Sequence, residues 1–201
     1  PENVASAAIV TDTGSTKRTI VEAATALPER LTFVGGHPLA GAARGGIEHA
    51  RADMFTGRPW LFTPAKGHDP QPMEKLKAFA TGLGSVPRVL SPEDHDRLVA
   101  FISHLPQLTV SALMHVVGQA AGRDGLNLSG RGLQDTTRLA SSPAGIWKEV
   151  CATNTDELGS ALDALIDVLR QLRADLKSGT SIDDVFESAN LWREILLSER
   201  T

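Results

Sequence analysis

Apolar positions in the first ninety residues fall in short runs separated by helix-period segments, the alternation expected of α/β units. Ala7-Ala8-Ile9-Val10-Thr11 reads as a strand, Thr16 to Ala26 as a helix, and Leu31-Thr32-Phe33-Val34 as the next strand. Gly46 to Ala52 suits a short helix, Pro59-Trp60-Leu61-Phe62-Thr63 a third strand, and Pro72 to Thr81 a helix closed by Gly82 or Gly84. Val86-Pro87-Arg88-Val89 reads as an edge strand, because Pro87 cannot donate to a central ladder. Together these segments amount to part of a doubly wound, Rossmann-type sheet, its C-terminal half.

From Ser91 onward the pattern is helical. Ser91-Pro92-Glu93-Asp94 supplies an N-cap, a proline at the first helical position and acidic residues in the first turn. Pro106 then falls inside a helical run, where it removes a backbone bond, so a kink or break is expected at His104-Leu105-Pro106. Helix resumes to about Ala121, gives way to a glycine-rich connection from Gly122 to Gly132, and returns near Pro143. Leu158, Leu162, Leu165, Leu169, Leu172 and Leu176 recur at alternating spacings of four and three, a seam suited to another helix. Ile182, Val185, Phe186, Ala189, Trp192, Ile195 and Leu196 trace a second apolar face after a cap at Ser181. Such a pair of helices serves either internal packing or a dimer interface. The expected fold class is α/β plus all-α: a partial nucleotide-binding domain over residues 1–90 and a helical substrate-binding and dimerisation domain over 91–201.

With 201 residues and 41% hydrophobic content, the chain can bury the core of one large or two small domains. A net charge of −4 and the lack of any Lys/Arg run argue against nucleic acid as a partner and leave anionic ligands to individual cations. Cys151 is the sole cysteine, so no internal disulfide forms, which fits a reducing cytoplasm. No apolar run approaches the ~20 residues that span a bilayer, and Pro1-Glu2-Asn3-Val4 has no signal-peptide pattern. A soluble chain without a membrane partner is expected. A start at proline, on the approach to a strand, is consistent with a fragment or a processed chain.

His37 stands out for chemistry. It sits in Phe33-Val34-Gly35-Gly36-His37-Pro38-Leu39-Ala40-Gly41, read as a glycine-rich loop after a strand, and histidine is the side chain most easily poised as a base near neutral pH. The alternative is a structural histidine held by a loop carbonyl. Asp12-Thr13-Gly14-Ser15 ends a strand and opens a helix, at the carboxyl edge where open α/β sheets take ligands; the alternative is an ordinary cap by Ser15. Arg138, after Asp135-Thr136-Thr137, can grip a carboxylate with two parallel hydrogen bonds, or be a solvated surface charge. His104 lies beside the expected kink, either as a polar residue at a helix break or in a functional role. No histidine pair has metal-ligand spacing, and no metal is expected.

Val10-Thr11-Asp12-Thr13-Gly14-Ser15-Thr16-Lys17, the His37 segment, Ser103-His104-Leu105-Pro106 and Gly132-Leu133-Gln134-Asp135-Thr136-Thr137-Arg138 together resemble the prephenate/arogenate dehydrogenase family. The resemblance implies oxidative decarboxylation of prephenate to 4-hydroxyphenylpyruvate, of arogenate to tyrosine, or both, with NAD or NADP as cofactor. It implies that His37 accepts the ring hydroxyl proton, with Ser15 beside it in the catalytic site. Hydride leaves the same carbon for the nicotinamide and carbon dioxide departs as the ring becomes aromatic. Arg138 then binds a substrate carboxylate, His104 lines the substrate cavity, and Asp12, Thr13 and Gly14 face the cofactor. Ala42 and Ala43 stand where many members carry a hydroxyl residue and a glutamate, and Gln107 where some prephenate-using members carry a second histidine. All three are assigned to the substrate side chain. His95 resembles a common family pattern and is read as helix structure. A homodimer through the C-terminal helices is expected from their two apolar faces.

No strand here leads into Gly-x-Gly-x-x-Gly, so a complete dinucleotide fold would need a further βαβαβ half before Pro1. That leaves a portion that is inactive alone as one expectation. Two alternatives stay open: a noncatalytic dimerisation or ligand-sensing module, and another β-hydroxyacid-type dehydrogenase. The latter typically uses a lysine base within a helix, and no such motif replaces His37.

Overall fold

The computed structural model describes residues 2–41, 46–65 and 70–198. The chain divides into two compact units, Pro1–Leu158 and Gly159–Thr201.

The first unit is built on a four-stranded sheet in the order β1 (Ala8–Thr11), β2 (Leu31–Pro38), β3 (Pro59–Pro64), β4 (Val86–Val89). β1 pairs parallel to β2, and β3 parallel to β4. β2 and β3, however, pair antiparallel, with His37 opposite Leu61 and Gly36 opposite Phe62. The described connection between them holds only a single 3₁₀ turn, Ile47–His49, where a parallel crossover needs an intervening helix. β4 lies at an edge, as Pro87 requires.

β2 also runs four residues further than its apolar run suggests, through Gly35, Gly36, His37 and Pro38. His37 therefore sits on a strand and not in a loop. The two glycines are there for close approach: a Cβ on Gly36 would lie 2.6 Å from the Asp12 carbonyl and 2.8 Å from Thr11 Oγ1, and one on Gly35 would collide with Thr63 Oγ1. Strand alternation then sorts the sheet into two faces. Val34, Trp60 and Phe62 meet Met73, Leu76 and Ala80 of helix α2 (Pro70–Gly82) in the core, with Trp60 and Phe62 stacked. The opposite face, bearing Gly35 and His37, is covered by helices α1 (Arg18–Ala24) and α3 (Pro92–Val99).

Ser91 caps α3 through its hydroxyl, which accepts the Asp94 amide at 3.0 Å. At Pro106 the expected kink or break is replaced by a π turn over Ala100–His104, which leads directly into α4 (Leu105–Asn127). A proline removes one donor and crowds the preceding turn, and a widened turn accommodates both effects without breaking the helix. The regular helix stops at Gly122, as expected from the sequence: the backbone there (φ 61°, ψ −173°) is non-helical and kinks α4, but a second helical stretch follows to Asn127 in place of an extended glycine-rich connection. Pro92–Asn127 is, among the described residues, the one helical run long and apolar enough by length and composition to cross a bilayer. Its His95, Asp96 and Gln107 are buried and hydrogen-bonded to other elements of the same unit, which marks it as a domain helix.

α5 (Arg131–Thr136), a 3₁₀ turn (Arg138–Ser141) and α6 (Ala144–Thr153) follow. α7 (Thr155–Ala174) runs into the second unit, which ends in α8 (Thr180–Ser198). α8 is capped not by Ser181 but by Asp175, whose carboxylate accepts the Ser181 amide at 2.9 Å and its hydroxyl at 2.7 Å.

Candidate active site

His37 projects from the α1/α3 face of β2 and retains only 9% exposure. Its Nδ1 lies 2.9 Å from Nε2 of His95, on α3, and the Nδ1 of His95 lies 2.8 Å from Oδ1 of Asp96. His95 and Asp96 are fully buried. Asp96 in turn accepts the backbone amides of Lys17 at 2.7 Å and Arg18 at 3.0 Å, and the Arg18 guanidinium at 3.3 Å. Asn154 donates to the Asp96 carbonyl at 2.8 Å and accepts from Arg18 at 2.9 Å, fastening the end of α6 to the same cluster.

A second buried centre holds the turn after β1. Lys17 has no exposed surface, and its ammonium is paired with Oδ2 of Asp12. That oxygen also accepts the Gly14 amide at 2.8 Å, while Oδ1 accepts the Gly36 amide at 2.8 Å. Both oxygens of Asp12 are thus committed to the protein's own donors, so Asp12 shapes the turn. Thr13 and Gly14 remain exposed at the carboxyl end of β1.

A cavity of about 860 Å³ opens beside this cluster. Its wall includes Ser15 from the β1 turn, Ala40 and Gly41 beyond β2, Ser103 and Gln107 from the π turn and α4, Arg138 and Ser142 from the following loop, and Trp147 from α6. Ser15, Gln107 and Arg138, distant in sequence, therefore share one wall. Arg138 is exposed and has no ion-pair partner among the described residues, which leaves its guanidinium available to a carboxylate. Gln107 is less free. Its amide donates to the Leu139 carbonyl at 2.8 Å and to Ser111 at 3.1 Å, and its carbonyl accepts from Ser142 at 3.0 Å. It ties the loop carrying Arg138 to α4. His104 lies behind the wall: it is 1% exposed, its ring meets Trp147 edge-on, and its Nε2 has no hydrogen-bond partner in the described residues. No hydrogen bond joins Ser15 to His37 in this structure; the ring's partner is His95. Ala42 and Ala43 lie outside the described residues. Among the described residues no group of three or more His, Cys, Asp or Glu could hold a metal ion.

Three residues of this centre escape a reading of the sequence: His95, Asp96 and Lys17. The available signals were a His-Asp pair in the first turns of a capped helix and a lysine among the polar residues after β1. The long-range contact that joins them is not written in local pattern.

Electrostatics follow burial. Desolvation, reinforced by His95, Lys17 and His104, pushes His37 down to about 3. Burial likewise pushes His104 down to about 4. Burial also lowers Lys17 despite its Asp12 partner. For Asp96 burial opposes ionisation, yet hydrogen bonds from His95 and from the Arg18 and Lys17 amides outweigh it and hold the carboxyl below its ordinary range. His37 and His104 are neutral at pH 7, so an unfolded chain takes up protons that the folded one refuses between about pH 6.5 and these depressed values. Stability is therefore present above about pH 6.5 and drains as the pH falls through that window. Denaturant midpoints are expected to drop steadily from pH 7 to pH 5, with the slope reduced in His37→Gln. Midpoints that stay level over that range would contradict the neutral, buried assignment.

Residues 1–89 match a family model described as prephenate dehydrogenase, nucleotide-binding domain, and residues 91–189 one described as prephenate dehydrogenase, dimerization domain. The prephenate dehydrogenase of Bacillus subtilis is 30% identical over 191 residues, which is 92% of this chain and 52% of that protein. The cyclohexadienyl dehydrogenase of Zymomonas mobilis is 28% identical over 174 residues, 85% of this chain and 59% of that protein. Among solved structures, Aquifex aeolicus prephenate dehydrogenase in complex with hydroxyphenyl propionate and NAD+ superposes with a TM-score of 0.84 at 27% identity, over 94% of this chain and 67% of that one. Synechocystis arogenate dehydrogenase gives 0.79 at 30% identity, over 94% and 69%. The chain spans about half the length of the curated relatives it matches. With the two models following one another along the sequence as the sheet and the helices do, the chain belongs to the prephenate dehydrogenase family.

Proposed function

We propose that this chain forms the substrate side of an enzyme that oxidatively decarboxylates prephenate to 4-hydroxyphenylpyruvate, arogenate to tyrosine, or both. The observation that carries this reading is a cavity whose wall holds Ser15, Ala40 and Arg138, with Arg138 free of ion pairs among the described residues and the buried His37 three residues before Ala40 at the end of β2. In this reading His37 accepts the proton of the ring hydroxyl, and Ser15 lies where it can bond the same oxygen. Arg138 grips a substrate carboxylate in a charge-assisted pair and so orients the ring. Gln107, through Leu139 and Ser142, keeps the loop of Arg138 in place. Loss of carbon dioxide makes the ring aromatic, which drives the reaction forward.

Thr13 and Gly14 fit the nicotinamide end of a dinucleotide, because they lie exposed at the carboxyl end of a parallel strand, where open α/β sheets take such ligands. They would hold that end alone, since no glycine-rich phosphate turn follows a strand here. Acceptance of hydride is the chemistry that a bound NAD or NADP supplies.

The test is nicotinamide reduction by the chain with prephenate and with arogenate, each with NAD and NADP, and then with a glycine-rich dinucleotide-binding half joined ahead of Pro1. Turnover of either substrate in either format supports the reading; silence in both formats overturns it.

We further propose a homodimer built on the second unit. Leu169, Leu176, Phe186 and Trp192 are each more than half exposed there, and this unit lies mostly in the match to the dimerization domain. Light scattering is expected to give a dimer for the chain and a monomer for Trp192→Glu. An unchanged mass in the variant would remove Trp192 from the interface.

A further inference from the structure

In the buried row His37, His95, Asp96, the proton positions are constrained from the Asp96 end. The Asp96 carboxylate is fully buried and surrounded by donors: His95 Nδ1, the Lys17 and Arg18 amides, and the Arg18 guanidinium. An ionised carboxylate only accepts, so the proton of this contact sits on His95 Nδ1. With that proton on Nδ1 and Arg18 as the cation beside Asp96, the arrangement that leaves His37 a partner puts a lone pair on His95 Nε2. That lone pair faces His37 Nδ1 at 2.9 Å. Two lone pairs at that distance would repel, so Nδ1 of His37 carries the proton.

We infer that His95 and Asp96 form a buried positioning dyad that fixes the tautomer of His37, with its proton on Nδ1 and a free lone pair on Nε2. The inference rests on the reading of His37 as the base and adds the atom at which it works: the hydroxyl proton of the substrate moves to Nε2. The dyad touches no ligand. It acts through His37, by holding the ring angle (centroids 5.1 Å apart, planes at 57°) and by turning the accepting nitrogen away from α3. Asp96 also places a negative charge one ring away from the imidazolium that proton transfer creates, which favours that species. Because Asp96 accepts the first amides of the segment leading into α1, the same carboxylate links the base on β2 to the turn carrying Ser15.

The tautomer can be read directly. Long-range proton–nitrogen correlation spectra of the 15N-histidine-labelled chain distinguish Nδ1–H from Nε2–H rings, and loss of one signal in His37→Gln assigns His37 among the six histidines. The expected result is a single Nδ1–H tautomer for His37. His95→Gln should keep it, because the glutamine amide can donate to Asp96 and offer its carbonyl to His37, the same polarity as the native ring. His95→Phe, which offers no acceptor, should shift His37 toward Nε2–H.

A proton on Nε2 of His37 in the unaltered chain would mean that His95 donates in both directions, and would overturn the inference. So would an unchanged Nδ1–H signal in folded His95→Phe. Should His95→Phe fail to fold, the unaltered chain and His95→Gln still decide between the two tautomers. These spectra need neither substrate nor cofactor, so a correct tautomer in a chain that never turns over prephenate or arogenate would uphold the dyad and reject the proposed reaction.

Discussion

Glutamine in place of His37 is expected to lower kcat by about 10²–10⁴-fold in any preparation that turns over prephenate or arogenate, with KM changed much less. Glutamine preserves much of the volume and can still bond to His95, but it cannot hold a proton from the substrate. The loss should therefore appear in the transition state, where the proton moves, and not in binding. Burial pushes His37 down to about 3 in the ligand-free chain, so the ring needs no prior deprotonation at neutral pH. A carboxylate-bearing substrate placed beside it favours the protonated ring and raises its basicity at the moment of use. If His37→Gln raises KM and leaves kcat intact, His37 is a binding residue and the base lies elsewhere.

Asp12→Ala is expected to cost about 3–5 kcal/mol of stability, the usual result of stripping the partner from a buried charge. Lys17 has no exposed surface to carry its ammonium into water, and the Gly14 and Gly36 amides lose their acceptor in the same step. Adding Lys17→Met to the alanine variant removes the stranded charge and should recover a large part of the loss, measured as the shift of a urea midpoint at constant slope. A penalty under about 1 kcal/mol, typical of exposed ion pairs, would show that Lys17 reaches solvent after all.

Much of the sheet could be read from residue pattern, because each strand is a short apolar run bounded by turn chemistry. The direction of β3 could not, although the information was present: the described part of the segment after Leu39 has no long helix to carry the chain back across the sheet. Gly35 and Gly36 suggested a loop, yet they are strand residues kept small by Thr63 and by the Asp12 carbonyl. Arg138, Gln107 and Ser15 were found by likeness to known motifs, and the fold brings them to one cavity wall. Local pattern places His95 in helix structure, because nothing within its own turn marks its contact with a ring 58 residues away. Tertiary hydrogen bonding of that kind decides the chemistry of a site and leaves little trace in local periodicity.

The π turn at Ala100–His104 has a bearing on how the long helix can serve two neighbourhoods at once. At about 100° per residue, an unbroken α-helix would set Gln107 roughly 120° around the axis from His95. The wider turn takes back most of one residue's rotation, so the helix changes phase midway. Its first half can then look toward β2 with His95 and Asp96, while its second half still looks inward with Gln107, toward the loop of Arg138. Length here is a phase setting. Deleting one residue between Ala100 and His104 would mend the regular ladder and leave Gln107 about 20° from His95, so the wide turn lets the helix carry one extra residue while both halves stay in step with their neighbours.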